Sequence, residues 1–178
     1  MKRLGGALEA AGIEYALGGA LAFNIWAQAR GTKDIDIATY VGVGDVERVF
    51  SLLQQLGADV ERSACRWELK QWGHFEVTFE LVRVDVFLPD LPLYDWAYPR
   101  RRRVRIEDAE LWFWSAEDVL LFKLVFFRDK DKLDIKVLLK VQGNNLDFDY
   151  IRKALREILD DEERTKWFED TVREILKG

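Results

Sequence analysis

Asp34 and Asp36 alternate with two isoleucines in Lys33-Asp34-Ile35-Asp36-Ile37. That alternation has the period of a β-strand, so both carboxylates face one way and both isoleucines the other. Carboxylates two residues apart on a strand, about 7 Å at their Cα atoms, can lean onto one or two divalent cations. Upstream, Gly18-Gly19 closes a short apolar run and opens a helix-length segment. A glycine turn feeding a helix leaves backbone N–H groups free for an anion and carries no side chain to hold a phosphate away. Further on, Asp85 is the single carboxylate among the apolar residues of Val84-Asp85-Val86-Phe87-Leu88. Asp34, Asp36 and Asp85 are therefore the candidate metal ligands, with Gly18 and Gly19 as the anion-facing turn.

The elements that must position these residues follow from the apolar spacing. Leu4, Leu8 and Ala11 predict a first helix ended by Gly12, and Ile13, Tyr15 and Leu17 a strand running into the glycines. Leu21, Ala22, Ile25 and Trp26 give the apolar face of a helix over 20–29, and Lys33 to Tyr40 is the aspartate strand. Asp45 suits an N-cap for a helix that Gly57 terminates. Between 58 and 88 the alternating runs, including Trp67 with Leu69, predict several short strands, with Gly73 in one of their turns. Residues 89–99 hold all three prolines and predict an irregular connection. Two strands follow, over 100–106 and 111–114, separated by Glu107 to Glu110. Ser115 with Asp118 resembles a helix-starting box, and helices are predicted over 129–141, from Asp147 through Leu159, and from Glu162 to Leu176.

The chain has 178 residues, 49% of them hydrophobic, enough for one buried core and small enough for a single domain over 1–178. Its core falls at about 13–142 and a helical C-terminal extension at about 143–178. With 27 basic and 32 acidic residues, the net charge of -5 supplies no global field to collect nucleic acid or an anionic membrane. The lone cysteine, Cys65, has no partner for a disulfide, which fits a reducing compartment. The N-terminus shows no sustained apolar run, so a soluble cytoplasmic protein without membrane contact is expected.

Taken together, Gly18-Gly19, Arg30-x-Thr32-x-Asp34-Ile35-Asp36-Ile37, Val84-Asp85-Val86 and the run from Ser115 through Lys123 to Arg128-x-Lys130-Asp131-x-x-Asp134-Ile135 resemble the nucleotidyltransferase superfamily. This polymerase-beta-like group includes abortive-infection toxins and antibiotic nucleotidyltransferases. The resemblance implies an α/β (α+β) fold with a mixed, mostly antiparallel sheet flanked by helices. It also implies transfer of a nucleoside monophosphate from a nucleoside triphosphate such as ATP to an acceptor hydroxyl, with release of pyrophosphate. Asp34 and Asp36 would hold Mg²⁺ or Mn²⁺ against the triphosphate, and Asp85 would complete a second metal position and help activate the acceptor. Gly18, Gly19, Arg30, Thr32 and Lys123 would bind the substrate, with Arg30 and Lys123 stabilising the departing pyrophosphate.

Other readings stand beside these. Arg30 and Thr32 serve equally well to stabilise the turn into the strand, and Lys123 suits a snorkelling helix residue. Arg100 to Arg105 would make a phosphate-binding strip for an RNA acceptor, or simply an exposed strand protected against aggregation. His74, expected in a turn, has no predicted catalytic role, while Trp26 or Trp72 could stack a base. The acceptor is left open among RNA, a small molecule and a protein. For a small acceptor, a closed pocket completed by the C-terminal helices or by the second subunit of a homodimer is expected. The alternative from another class is a non-catalytic, antitoxin-like or regulatory binding module that keeps the fold.

Overall fold

The structure is a computed structural model that describes residues 1–176. Its centre is a six-stranded sheet in the order β3-β4-β2-β1-β6-β5. The strands are β1 (Tyr15–Leu17), β2 (Asp34–Thr39), β3 (His74–Phe79), β4 (Val82–Phe87), β5 (Arg102–Ile106) and β6 (Ala109–Phe113). β2 pairs in parallel with β4 and β1 with β6, while the other three pairs are antiparallel. The mixed sheet and its C-terminal helices match the expected α/β architecture.

One face of the sheet is apolar. Ile35, Ile37, Phe75, Val77, Val84 and Val86 are all buried there. Helix α3 (Val46–Gln55) supplies Val49, Phe50 and Leu53 to this layer, and Phe50 meets Phe75 edge to face at 5.0 Å. The other face carries the polar members of the same alternation and is flanked by α2 (Gly19–Trp26), α6 (Ala116–Phe126) and α7 (Asp129–Gln142). Helix α1 (Lys2–Ala10) packs on β6.

Four local expectations fail for identifiable reasons. Residues 62–72 form helix α4 (Arg62–Trp72), not strands. Cys65, Trp67 and Leu69 look like a period of two, but the inward pair is buried Cys65 and partly buried Leu69, four apart, while Trp67 is 56% exposed. Glu61 starts this helix by accepting from the backbone N–H groups of Ser63 and Ala64, and Gly73 ends it at φ +73°. Gly73 is thus a helix cap and not a hairpin turn. The proline segment holds helix α5 (Pro92–Ala97), with Pro92 in its first turn where no N–H is required. Asp45 does occupy the expected N-cap position of α3, after a 3₁₀ turn over Val43–Asp45, with no side-chain capping bond. The β5–β6 connection is only Glu107-Asp108, since Ala109 and Glu110 already pair in β6.

Ser115 does cap α6, its hydroxyl accepting from the Asp118 N–H at 3.2 Å. The C-terminal helices are α8 (Phe148–Ala154), continued by a π-helical turn over Leu155–Leu159, and α9 (Glu162–Leu176). They are tied to α6 through Asp118, which is fully buried and accepts from Ser115 Oγ at 2.6 Å and from the Tyr150 hydroxyl at 2.5 Å. Burial pushes the Asp118 carboxyl up to about 6, against those two hydrogen bonds and the nearby Arg100. The folded state keeps this proton up to about pH 6, whereas an unfolded aspartate releases it near pH 4, so stability drops as pH rises through that window. Asp118→Asn, which cannot ionise, is expected to match the wild type at pH 4. Above pH 6 it should exceed it by up to about 3 kcal/mol, as read by urea denaturation across that range.

Candidate active site

Strand register brings the carboxylates together. In the parallel β2–β4 pair Asp36 lies opposite Asp85 and Asp34 opposite Arg83, and in the antiparallel β3–β4 pair Glu76 lies opposite Asp85. The polar face therefore carries a row of Glu76, Asp85 and Asp36 across three strands. Burial raises the Asp36 carboxyl above the usual range, and the charge of Asp34 pushes the same way; the Ala20 N–H, Arg83 and Lys123 oppose them. Asp85 is likewise raised by burial, against the pull of Arg83.

The glycine turn abuts this row, with the Gly18 N–H donating to the Asp36 carbonyl at 2.9 Å. Gly19 has φ +51°, and a Cβ there would sit 1.8 Å from Asp36 Oδ2. The position thus demands glycine for both backbone and space, and α2 can start directly over the carboxylate. Gly18 is different. A Cβ on it would meet the Trp114 ring at 2.4 Å, and the residue does not line the cleft, so its smallness makes room for an aromatic neighbour.

The cleft above the row has a volume of about 280 Å³. Gly19, Arg30, Thr32, Asp34, Asp36, Asp85 and Lys123 all line it. Thr32 Oγ1 is 3.2–3.3 Å from the Asp34 carbonyl and N–H, shaping the entry to β2. Asn24 clamps the backbone of Arg30 at 2.8 and 3.1 Å. The Arg30 side chain then reaches Asp134 at 2.9 Å, and buried Lys123 meets the same carboxylate at 2.6 Å. Asp134 therefore orients two cations from different elements toward one wall. Asp131 accepts from the Arg128 backbone and guanidinium, so both helix carboxylates are engaged in ion pairs.

Sequence reasoning missed four contributors. Arg83 binds Asp34 at 2.8 Å, although the rule that placed Asp85 on this face places Arg83 there too. His74 opens β3, stacks on Phe87 at 4.8 Å and lines the cleft. Tyr94 and Trp114 form an aromatic wall whose members come from distant segments. Trp26 and Trp72 stay outside the cleft; the Trp26 indole instead donates to the Trp114 carbonyl at 2.7 Å. The Arg100 to Arg105 run is also absent from it. Arg100 stacks on Tyr150 and approaches Glu117, while Arg101 donates to the Tyr15 carbonyl and to Glu14. Arg101 thus fastens β1, and Arg100 links the start of α6 to α8, outside the cleft.

A second hollow, of about 600 Å³, lies between α3, α4 and the segment after β4 and is mainly apolar. It is the roomier of the two, but it contains none of the three aspartates, so the smaller cleft is the candidate site.

The family model for a nucleotidyltransferase of unknown function (DUF6036) matches residues 8–174. The chain belongs to this nucleotidyltransferase family. No curated protein matches the sequence. Among solved structures, the antibiotic-resistance factor ANT(2'')-Ia is 14% identical, with a TM-score of 0.61 over 86% of this chain and 88% of that one. An antigenic nucleotidyltransferase-like protein from Paracoccidioides brasiliensis is 16% identical, with a TM-score of 0.59 over 99% and 94%. The lincosamide antibiotic adenylyltransferase LnuA in its lincomycin-bound form is 22% identical, with a TM-score of 0.53 over 75% and 90%. At these identities the likeness is one of fold. Among the described residues no helix is long and apolar enough to cross a membrane.

The three carboxylates fit a hard divalent cation in kind, being oxygen donors on neighbouring strands. As they stand, no three acidic, histidine or cysteine side chains among the described residues converge on one point. A cation does already sit between two of them, the guanidinium of Arg83, 2.8 Å from Asp34 and 3.4 Å from Asp85.

Proposed function

We propose that this nucleotidyltransferase moves a nucleoside monophosphate from a nucleoside triphosphate to an acceptor hydroxyl. The observation that carries the proposal is the row of Asp36 and Asp85 in register, with Asp34 one pair along and the Gly19 turn pressed against Asp36. Mg²⁺ or Mn²⁺ held by Asp34 and Asp36, with Asp85 at a second position, would neutralise the triphosphate and acidify the acceptor hydroxyl.

The chain's own groups supply the rest. The N–H groups at the start of α2 face the phosphates across the glycine turn. Asp85, in register beside Asp36, would take the acceptor proton where it does not itself hold a cation. The acceptor oxygen then bonds to the α-phosphorus as the bond to the bridging oxygen of the β-phosphate breaks, and pyrophosphate leaves. Arg30 and Lys123, fixed by Asp134, stabilise its charge together with Lys130, which is exposed at the rim.

Incubation with each α-labelled nucleoside triphosphate, Mg²⁺ or Mn²⁺, and fractionated cell extract tests the proposal. Metal-dependent label in RNA, protein or a small molecule names the acceptor class. No incorporation from any nucleotide, together with no metal-dependent nucleotide binding, sinks the enzyme reading in favour of a binding module.

A further inference from the structure

We propose that Arg83 is an internal counter-cation that occupies the second cation position, between Asp34 and Asp85, and that it leaves only when a triphosphate offers it a new partner. The inference rests on the reading of Asp34, Asp36 and Asp85 as metal ligands. It adds that metal entry and nucleotide entry are coupled through one side chain.

The backbone dictates the arrangement. Arg83 precedes Asp85 by two residues on β4 and is registered opposite Asp34 on β2, so its side chain emerges on the carboxylate face between the two. A single nitrogen, Nη2, lies 2.8 Å from Asp34 Oδ2 and 3.4 Å from Asp85 Oδ2, while Nη1 is 3.7 Å from Glu76. A divalent ion shared by Asp34 and Asp85 would stand against that nitrogen, and two like charges cannot share the space. One of them must go.

The guanidinium is the mobile one. Its side chain is 46% exposed, against 14% for Asp85, so it can swing toward solvent without opening the core. β4 lies inside the sheet between β3 and β2, so this ion pair is not guarding a free edge. The Arg83–Asp34 pair is exposed on both sides and adds little to stability. A triphosphate, by contrast, offers a guanidinium the planar bidentate contact it prefers. Once that contact forms, the carboxylates are released to the cation. By linkage, nucleotide must then tighten metal binding by the same factor by which metal tightens nucleotide.

Mn²⁺ binding to the full chain, followed by electron paramagnetic resonance with and without a non-hydrolysable α,β-methylene triphosphate, tests this directly. In the wild type the analogue should tighten Mn²⁺ binding by about tenfold or more. Arg83→Met should bind Mn²⁺ alone about tenfold more tightly than the wild type, and the gain from the analogue, whose phosphates also ligate the cation directly, should shrink by about the same tenfold factor. Arg83→Lys, which keeps a charge but not the planar fork, should fall between them. Equal Mn²⁺ affinities for wild type and Arg83→Met without nucleotide, with an undiminished gain from the analogue in both, would overturn the proposal. Absence of Mn²⁺ binding in all three proteins under both conditions would instead overturn the metal reading beneath it.

Discussion

Asp36→Asn is expected to lower nucleotidyl transfer by about 10³-fold or more, equivalent to about 4 kcal/mol of lost transition-state stabilisation. The carboxylate is the one flanked by Asp34 on its own strand, by Asp85 across the ladder and by the glycine turn above, so no neighbour can replace it. Asparagine keeps the shape and one oxygen but not the charge that holds a cation. The same change should leave the fold intact or firmer. Asp36 is a poorly solvated carboxylate beside another one, and its raised proton affinity means that ionising it costs folding free energy. Loss of activity with an unchanged or higher melting temperature is therefore the signature to look for, in line with sites that trade stability for function. Transfer at wild-type rate in this variant would remove Asp36 from the metal site.

Phe168→Ala is expected to cost about 3–5 kcal/mol, the usual loss for truncating a fully buried aromatic. Phe168 lies on α9, is completely buried and packs near Phe148 of α8 with their rings 6.5 Å apart. α9 also packs on α7, whose Asp134 pairs with the cleft-lining Arg30 and Lys123. If the extension and the core fold as one domain, urea denaturation of the variant will show a single transition with a lower midpoint and an unchanged slope. Two transitions, with the earlier one confined to the C-terminal helices, would make the extension a separate folding unit.

The parts of the fold legible in the sequence are those in which one local pattern decides. Asp34-Ile35-Asp36-Ile37 could face only two ways, and the strand predicted there is β2. Ser115, Asp147 and the long helix from Glu162 were readable because caps and apolar spacing agreed. Residues 61–72 were not, because a tryptophan left on the surface at Trp67 imitates a strand period. Within the site, the strand aspartates could be nominated from spacing, and Lys123 from the family resemblance. The pairing of Asp134 with both Arg30 and Lys123 depends on how α7 docks against α2 and α6, which no local pattern encodes. Arg83 was within reach of the alternation rule, since it stands two residues before Asp85 on the same strand.

The parallel pairing of β1 with β6 joins Leu17 to Phe113, across more than half of the chain. Closing so long a loop costs entropy before any contact repays it, so this step belongs late in folding. The glycine turn follows β1 directly, and Trp114, which fills the space beside Gly18, follows β6. A growing chain emerging from the ribosome thus has no finished cleft until its residues beyond 113 are out. Nucleotide binding, measured on stalled nascent chains of increasing length, should switch on abruptly rather than build up by degrees.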